Sequence, residues 1–189
     1  MKEKNKKTNR RVAVFGTLRI MTISALLCAM SIILGKYLAI RGGEVLRFSF
    51  ENLPILLAGM MFGPLVGAAV GVVADLVGCL LVGYAINPIV TLGAALIGIT
   101  SGLTYFLTQK LPLGVRVTLS VTAAHLLGSV LVKTLGLAAF YAMPIGVLLL
   151  WRLLNYAIVG ALEVFLCAVI LKNRALARLV RFETERRPK

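Results

Sequence analysis

The stretch Arg47-Phe48-Ser49-Phe50-Glu51-Asn52-Leu53-Pro54 sets a cation, a carboxylate and an amide at the mouth of an apolar run. A second polar set follows far downstream in Trp151-Arg152-Leu153-Leu154-Asn155-Tyr156. There Arg152, Asn155 and Tyr156 recur at helical spacing, so they share one face of a helix. Taken together, the chain holds cations (Arg41, Arg47, Lys133, Arg152), amides (Asn52, Asn87, Asn155), aromatics (Phe48, Phe50, Tyr84, Tyr141, Trp151, Tyr156) and Glu51 where its apolar runs end. Cations suit a carboxylated ligand, and aromatic rings suit a flat one. A carboxylate with amides can read a ring edge that carries both donors and acceptors. These residue types predict a pocket for an anionic heteroaromatic molecule.

Simpler readings compete at each position. Arg152 beside Trp151 also fits a snorkelling arginine in an interfacial aromatic belt, although Asn155 does not belong to such a belt. Asp75, His125, Lys133, Arg152 and Glu163 lie within apolar runs, where ionisable groups are functional candidates by default. A lone histidine is more often a structural hydrogen-bonding group, and Asp75 and Glu163 equally suit polar contacts between helices. With one histidine, a His-based metal site is improbable. The three cysteines, Cys28, Cys79 and Cys167, show no ligand spacing and read as small core hydrophobes. The chain has no G-x-x-x-x-G-K-[ST], H-E-x-x-H or G-x-S-x-G motif, so neither P-loop nucleotide chemistry nor a familiar hydrolase is expected. The expectation is a protein that is not an enzyme and carries no cofactor.

The elements that must position these residues are membrane helices. Of 189 residues, 59% are hydrophobic and only 15% charged, against about 25% charged in a soluble domain. The net charge of +14 is not spread as in a nucleic-acid binder: six of 21 basic residues precede residue 12 and seven follow residue 171. Basic ends around an apolar body mark cytoplasmic segments at a membrane face. Apolar runs at 19–40, 49–62, 64–83, 88–108, 116–139 and 145–171 give six spans, between a basic tail at 1–18 and another at 172–189. The first run is too long for a signal-peptide core and is read as an uncleaved span. Both termini are predicted cytoplasmic. Arg41 and Arg47 in the first outer loop, with Lys36 close by, break the positive-inside rule and call for a reason other than topology. The second run is short, about 21 Å against a hydrocarbon core of about 30 Å, so its polar start must be sheltered by protein or face a water-filled cavity.

Small residues supply a packing rule. Gly59, Gly63, Gly67 and Gly71 recur every four residues and Asp75 continues the row; Gly98 with Gly102 and Ala25 with Ala29 repeat the spacing. Such spacing lets helix backbones approach closely, either inside the bundle or against another membrane protein.

The long segment from Leu46 to Leu81, through Arg47, Phe48, Phe50, Pro54, Gly59, Gly63, Pro64, Gly67, Gly71, Asp75 and Gly78, resembles the second and third helices of the S components of energy-coupling factor (ECF) vitamin transporters. The folate family is the nearest within them. The run after Asn87 resembles the fourth helix, and the likeness covers about residues 19–171. The resemblance implies an all-α, six-helix membrane bundle in a bacterial cell membrane. It implies a substrate-binding subunit that captures a vitamin, here folate, at the outer side. It then works with a transmembrane coupling protein and two ATPase subunits, toppling in the bilayer; no nucleic acid is involved. It further implies that Ser24, Ala25 and Ala29 on the first helix form the docking face for the coupling protein. Where S components of this family carry an asparagine-rich fifth helix, this chain has His125-Leu126-Leu127-Gly128-Ser129-Val130-Leu131-Val132-Lys133. An S component for another vitamin, or a self-sufficient ion-driven transporter with Asp75 and Glu163 as relay carboxylates, are the alternatives.

Overall fold

The computed structural model describes residues 18–42, 46–141 and 145–173. The basic tails and the side chains of Arg41, Arg47 and Tyr141 lie outside the described residues. Six helical rods follow one another. Helix α1 (Leu18–Ile32) runs on into a π-helical turn, Ile33–Tyr37. Then come α2 (Asn52–Phe62), α3 (Pro64–Val82) and α4 (Pro88–Leu107). Rod α5 starts as Leu113–Ala124, turns π-helical over His125–Val132 and resumes as Lys133–Tyr141; α6 is Ile145–Lys172. Between α1 and α2 lies a feature the periodicity did not announce, an antiparallel hairpin of β1 (Ile40–Gly42) and β2 (Leu46–Phe48). Its register sets Arg41 opposite Arg47, and β2 lies against α6.

Five rods are long and apolar enough to cross a membrane. Helix α2 is not. Its 11 residues reach about 16 Å. The short second run is therefore an internal helix, with every residue from Asn52 to Met61 buried among α1, α3 and α4. A helix that is apolar all round belongs in a core, and here the core shelters its polar first turn.

Local chemistry sets the breaks. Gly63 takes φ 105°, a conformation glycine reaches without steric cost, and Pro64 then opens α3 at a position where its missing N–H is no loss. At the other end Gly83 adopts φ 73° and ends α3 in a left-handed cap. Helix α4 opens on Pro88, and Asn87 caps it: Oδ1 accepts from the N–H of Ile89 at 3.0 Å and of Val90 at 3.4 Å.

The glycine rows pack inside the bundle. A Cβ on Gly98 would fall 2.1 Å from the Gly67 carbonyl carbon, one on Gly71 2.4 Å from the Ala94 oxygen, and one on Gly59 2.5 Å from the Gly98 oxygen. Helices α2, α3 and α4 therefore meet backbone to backbone. Ala25 and Ala29, by contrast, stand exposed on α1, while Ser24 is buried and turned toward the bundle. The exposed small-residue face of α1 thus consists of the two alanines without the serine.

Candidate functional site

The hairpin end of the bundle gathers charge. Lys133 is only 4% exposed. Its Nζ lies 3.4 Å from Glu51 Oε1 and 3.4 Å from Asn52 Oδ1. Both contacts are longer than the usual 2.7–3.2 Å, so the ammonium is shared between two acceptors and held tightly by neither. Ser31 on α1 donates its hydroxyl to the Glu51 carbonyl oxygen at 2.6 Å, which ties the start of α2 to α1. Lys36, from the π turn of α1, directs Nζ to Cys79 Sγ at 3.7 Å and lies 5.6 Å from the centroid of the Tyr84 ring. On the opposite wall Asp75 accepts the Thr91 hydroxyl at 2.7 Å through Oδ2. Lys36, Glu51, Asp75 and Lys133 line one cavity with Ser31, Ile32, Ile55, Gly71, Ala74 and Ala94. It measures about 20 Å³, room for one or two waters.

Glycines make this convergence possible. Long side chains reach the cavity by lying flat along a neighbouring helix, and each crosses it where a side chain is missing. A Cβ on Gly35 would sit 2.7 Å from Glu51 Cβ, on Gly78 2.8 Å from Lys36 Cε, and on Gly93 2.6 Å from Lys133 Cγ. Three of the four charged groups at the cavity thus occupy glycine slots, on α1, α3 and α4. Of these charges only Lys133 is buried, a position that costs several kcal/mol unless the charge is paired or solvated, and the mixture of signs limits that cost.

The residues expected at the site divide into groups. Glu51, Asn52 and Lys133 come together. Asn52 is fully buried and braces Lys133 from below. Phe48 and Phe50 are half-buried at the hairpin side of Glu51. Asn87, besides capping α4, donates Nδ2–H to the Gly136 carbonyl at 2.9 Å and pins α4 to α5. Trp151 is exposed on α6, as an aromatic belt residue would be, and Tyr84 is exposed beyond α3. Arg152 donates to the Ser129 carbonyl oxygen at 2.7 Å, and Tyr156 stacks on His125 with centroids 4.8 Å apart. These two, with half-buried Asn155, belong to the seam between α5 and α6.

That seam has its own polar chain. His125 Nε2 pairs with the fully buried Glu163, and Nδ1 meets Ser129 Oγ at 3.2 Å. The π-helical stretch of α5 carries both His125 and Ser129. Beside it opens a larger hollow of about 590 Å³, lined by aliphatic residues with Thr118, Thr122, His125 and Tyr156. Among the described residues no Lys, Arg, Asp or Glu lines it, and both ring nitrogens of His125 are already engaged, so it does not suit an anion. Sequence reasoning placed Lys36 near the site without including it, and treated Asp75 as a contact between helices. The signal for both was their position one or two turns from the ends of their apolar runs, at the level of Glu51.

Comparison with known proteins follows this geometry. Residues 19–171 match the family model described as ECF transporter, substrate-specific component. A relative described as folate transporter FolT, from Clostridium novyi (strain NT), is 28% identical over 146 residues, which is 74% of this chain and 80% of the relative. A crystal structure of FolT bound with folic acid superposes with a TM-score of 0.65 at 26% identity, covering 80% of this chain and 90% of that one.

Proposed function

This chain belongs to the substrate-specific components of ECF transporters, a family of multi-pass membrane proteins, and from that premise we propose that the vitamin it captures is a folate. The observation that carries the reading is the cavity at the hairpin end, where Lys36, Glu51, Asp75 and Lys133 converge from four helices. A folate offers a ring edge rich in donors and acceptors and a tail of carboxylates. The ring edge suits the mixed charges of the cavity. The tail suits the hairpin, whose register sets two arginine positions side by side. The likeness to a FolT relative and to a FolT structure bound with folic acid supports the same ligand.

Small-molecule sites usually enclose about 300–1,000 Å³, far more than this cavity holds. Binding on this reading therefore displaces the hairpin and the start of α6 and breaks the long Lys133–Glu51 contact. Arg152, released from Ser129, then has the reach to meet the ligand tail. The chain performs no catalysis on this reading. A transmembrane coupling protein docks on the Ala25–Ala29 face, and two ATPase subunits supply the ATP chemistry. The termini face the cytoplasm of a bacterial cell, and the hairpin end faces out.

The test is calorimetry on the purified, monodisperse protein. One folate per chain with tight affinity is the expected result. A folded sample that binds no folate, while another vitamin co-purifies and is identified by mass spectrometry, overturns the choice of ligand.

A further inference from the structure

We propose that Asp75 and Lys36 are the residues that read the heterocycle, recognising a cyclic 2-amino-4-oxopyrimidine edge. This inference rests on the folate reading. The first ground is the state of Asp75. Among the described residues its one hydrogen-bond partner is Thr91, held through Oδ2. A carboxylate accepts about four hydrogen bonds, so Oδ1 and one lone pair of Oδ2 are uncommitted on a side chain that lines the cavity. Thr91 fixes its orientation from α4.

The second ground is Lys36. Among the described residues its ammonium, half-buried, meets only the Cys79 thiol and the Tyr84 ring, weak partners for a charge. Gly78 holds its stem against α3, since a Cβ there would fall 2.8 Å from Lys36 Cε. Cys79 lies one turn beyond Asp75 on α3, so the ammonium is moored at the end of the helix that carries the carboxylate. Glu51 and Lys133 face each other at 3.4 Å, whereas among the described residues Asp75 and Lys36 share no such ion pair.

The ligand chemistry follows. A 2-amino-4-oxopyrimidine ring presents an amino N–H and a ring N–H side by side, with a carbonyl oxygen next to them. Asp75 accepts the two N–H groups, and Lys36 donates to the carbonyl oxygen. No covalent step is involved.

The experiment measures folic acid binding to the full chain by calorimetry, with melting temperature as a control for folding. Asp75→Asn is expected to bind folic acid about 10–100-fold more weakly, the scale of a hydrogen bond to a charged group. An analogue lacking the 2-amino group should narrow the gap between wild type and Asp75→Asn without closing it, because only the ring N–H is left for the carboxylate. Lys36→Met is expected to lose affinity for folic acid but to treat an analogue lacking the 4-oxo oxygen as wild type does. Thr91→Val, which frees Asp75 without removing it, should give an intermediate loss and serves if Asp75→Asn misfolds. Wild type that binds folic acid while Asp75→Asn and Thr91→Val bind it equally well overturns this inference alone. A folded wild type that binds no compound bearing this ring edge overturns both this inference and the folate reading.

Discussion

Replacing Gly93 by alanine tests whether glycine slots set the position of the site charges. The new Cβ would lie 2.6 Å from Lys133 Cγ and 3.0 Å from the Gly128 oxygen, where ordinary contacts begin near 3.4 Å. The lysine stem can yield, because it is flexible, and it must retreat by about 0.8 Å. The contacts of Nζ with Glu51 and Asn52 are already 3.4 Å long, so a retreat of that size takes them beyond hydrogen-bonding range. A ligand that takes over Lys133 when the Glu51 contact breaks would lose its own hydrogen bond to the displaced ammonium, about 1.5–3 kcal/mol, or about 10–100-fold in folate affinity. Calorimetry of Gly93→Ala, Lys133→Met and the double variant measures this. The two substitutions should be strongly non-additive, since the first acts through the second. Wild-type affinity for Gly93→Ala, or simple additivity in the double variant, would refute the slot argument.

Three further outcomes follow from the packing. Gly98→Ala places a Cβ against the Gly67 backbone on the other side of the α3–α4 contact; neither backbone can yield, and the variant should lose several °C in melting temperature in detergent or fail to yield monodisperse protein. Glu163→Leu leaves His125 Nε2 buried without a hydrogen-bond partner and should cost about 1–3 kcal/mol, while adding His125→Phe should recover much of the loss, as read by thermal unfolding of both variants. Bulky substitutions at Ala25 and Ala29, which are exposed, should leave folate binding unchanged and abolish uptake in cells that supply the coupling protein and ATPases.

The helices were legible because apolar length and breakers act locally. Gly63-Pro64 and Asn87-Pro88 mark the turns they were read to mark, and the boundaries of 64–83 and 88–108 agree closely with Pro64–Val82 and Pro88–Leu107. The hairpin was not legible. Its strands are three residues each, too short to show alternation, and what they rest on is α6, far away in sequence. The π-helical stretch of α5 was hidden for a related reason, since no residue type favours it and its carbonyl at Ser129 is satisfied by Arg152 from another helix. Of the residues singled out by type, Glu51, Asn52 and Lys133 lie together at one cavity, while Arg152, Asn155 and Tyr156 lie along the seam between α5 and α6. Which wall of α6 meets which neighbour depends on helix rotation in the bundle. That rotation is set by contacts such as Tyr156 on His125, which single-helix periodicity does not contain.

The burial of α2 has a consequence for the protein's relation to its membrane. A bilayer thicker or thinner than a protein's apolar girth makes spanning helices tilt or bend, at a fraction of a kcal/mol per Å of mismatch. Residues Asn52 to Met61 of α2 are buried, and Glu51 and Asn52 stand at its start. Its glycine contacts fasten it to α3 and α4 at the level of the backbone. Mismatch strain thus enters through the outer rods, while the floor of the cavity is insulated from it. Ligand affinity is expected to stay level across lipids of different chain length, even where the tilt of the whole subunit does not.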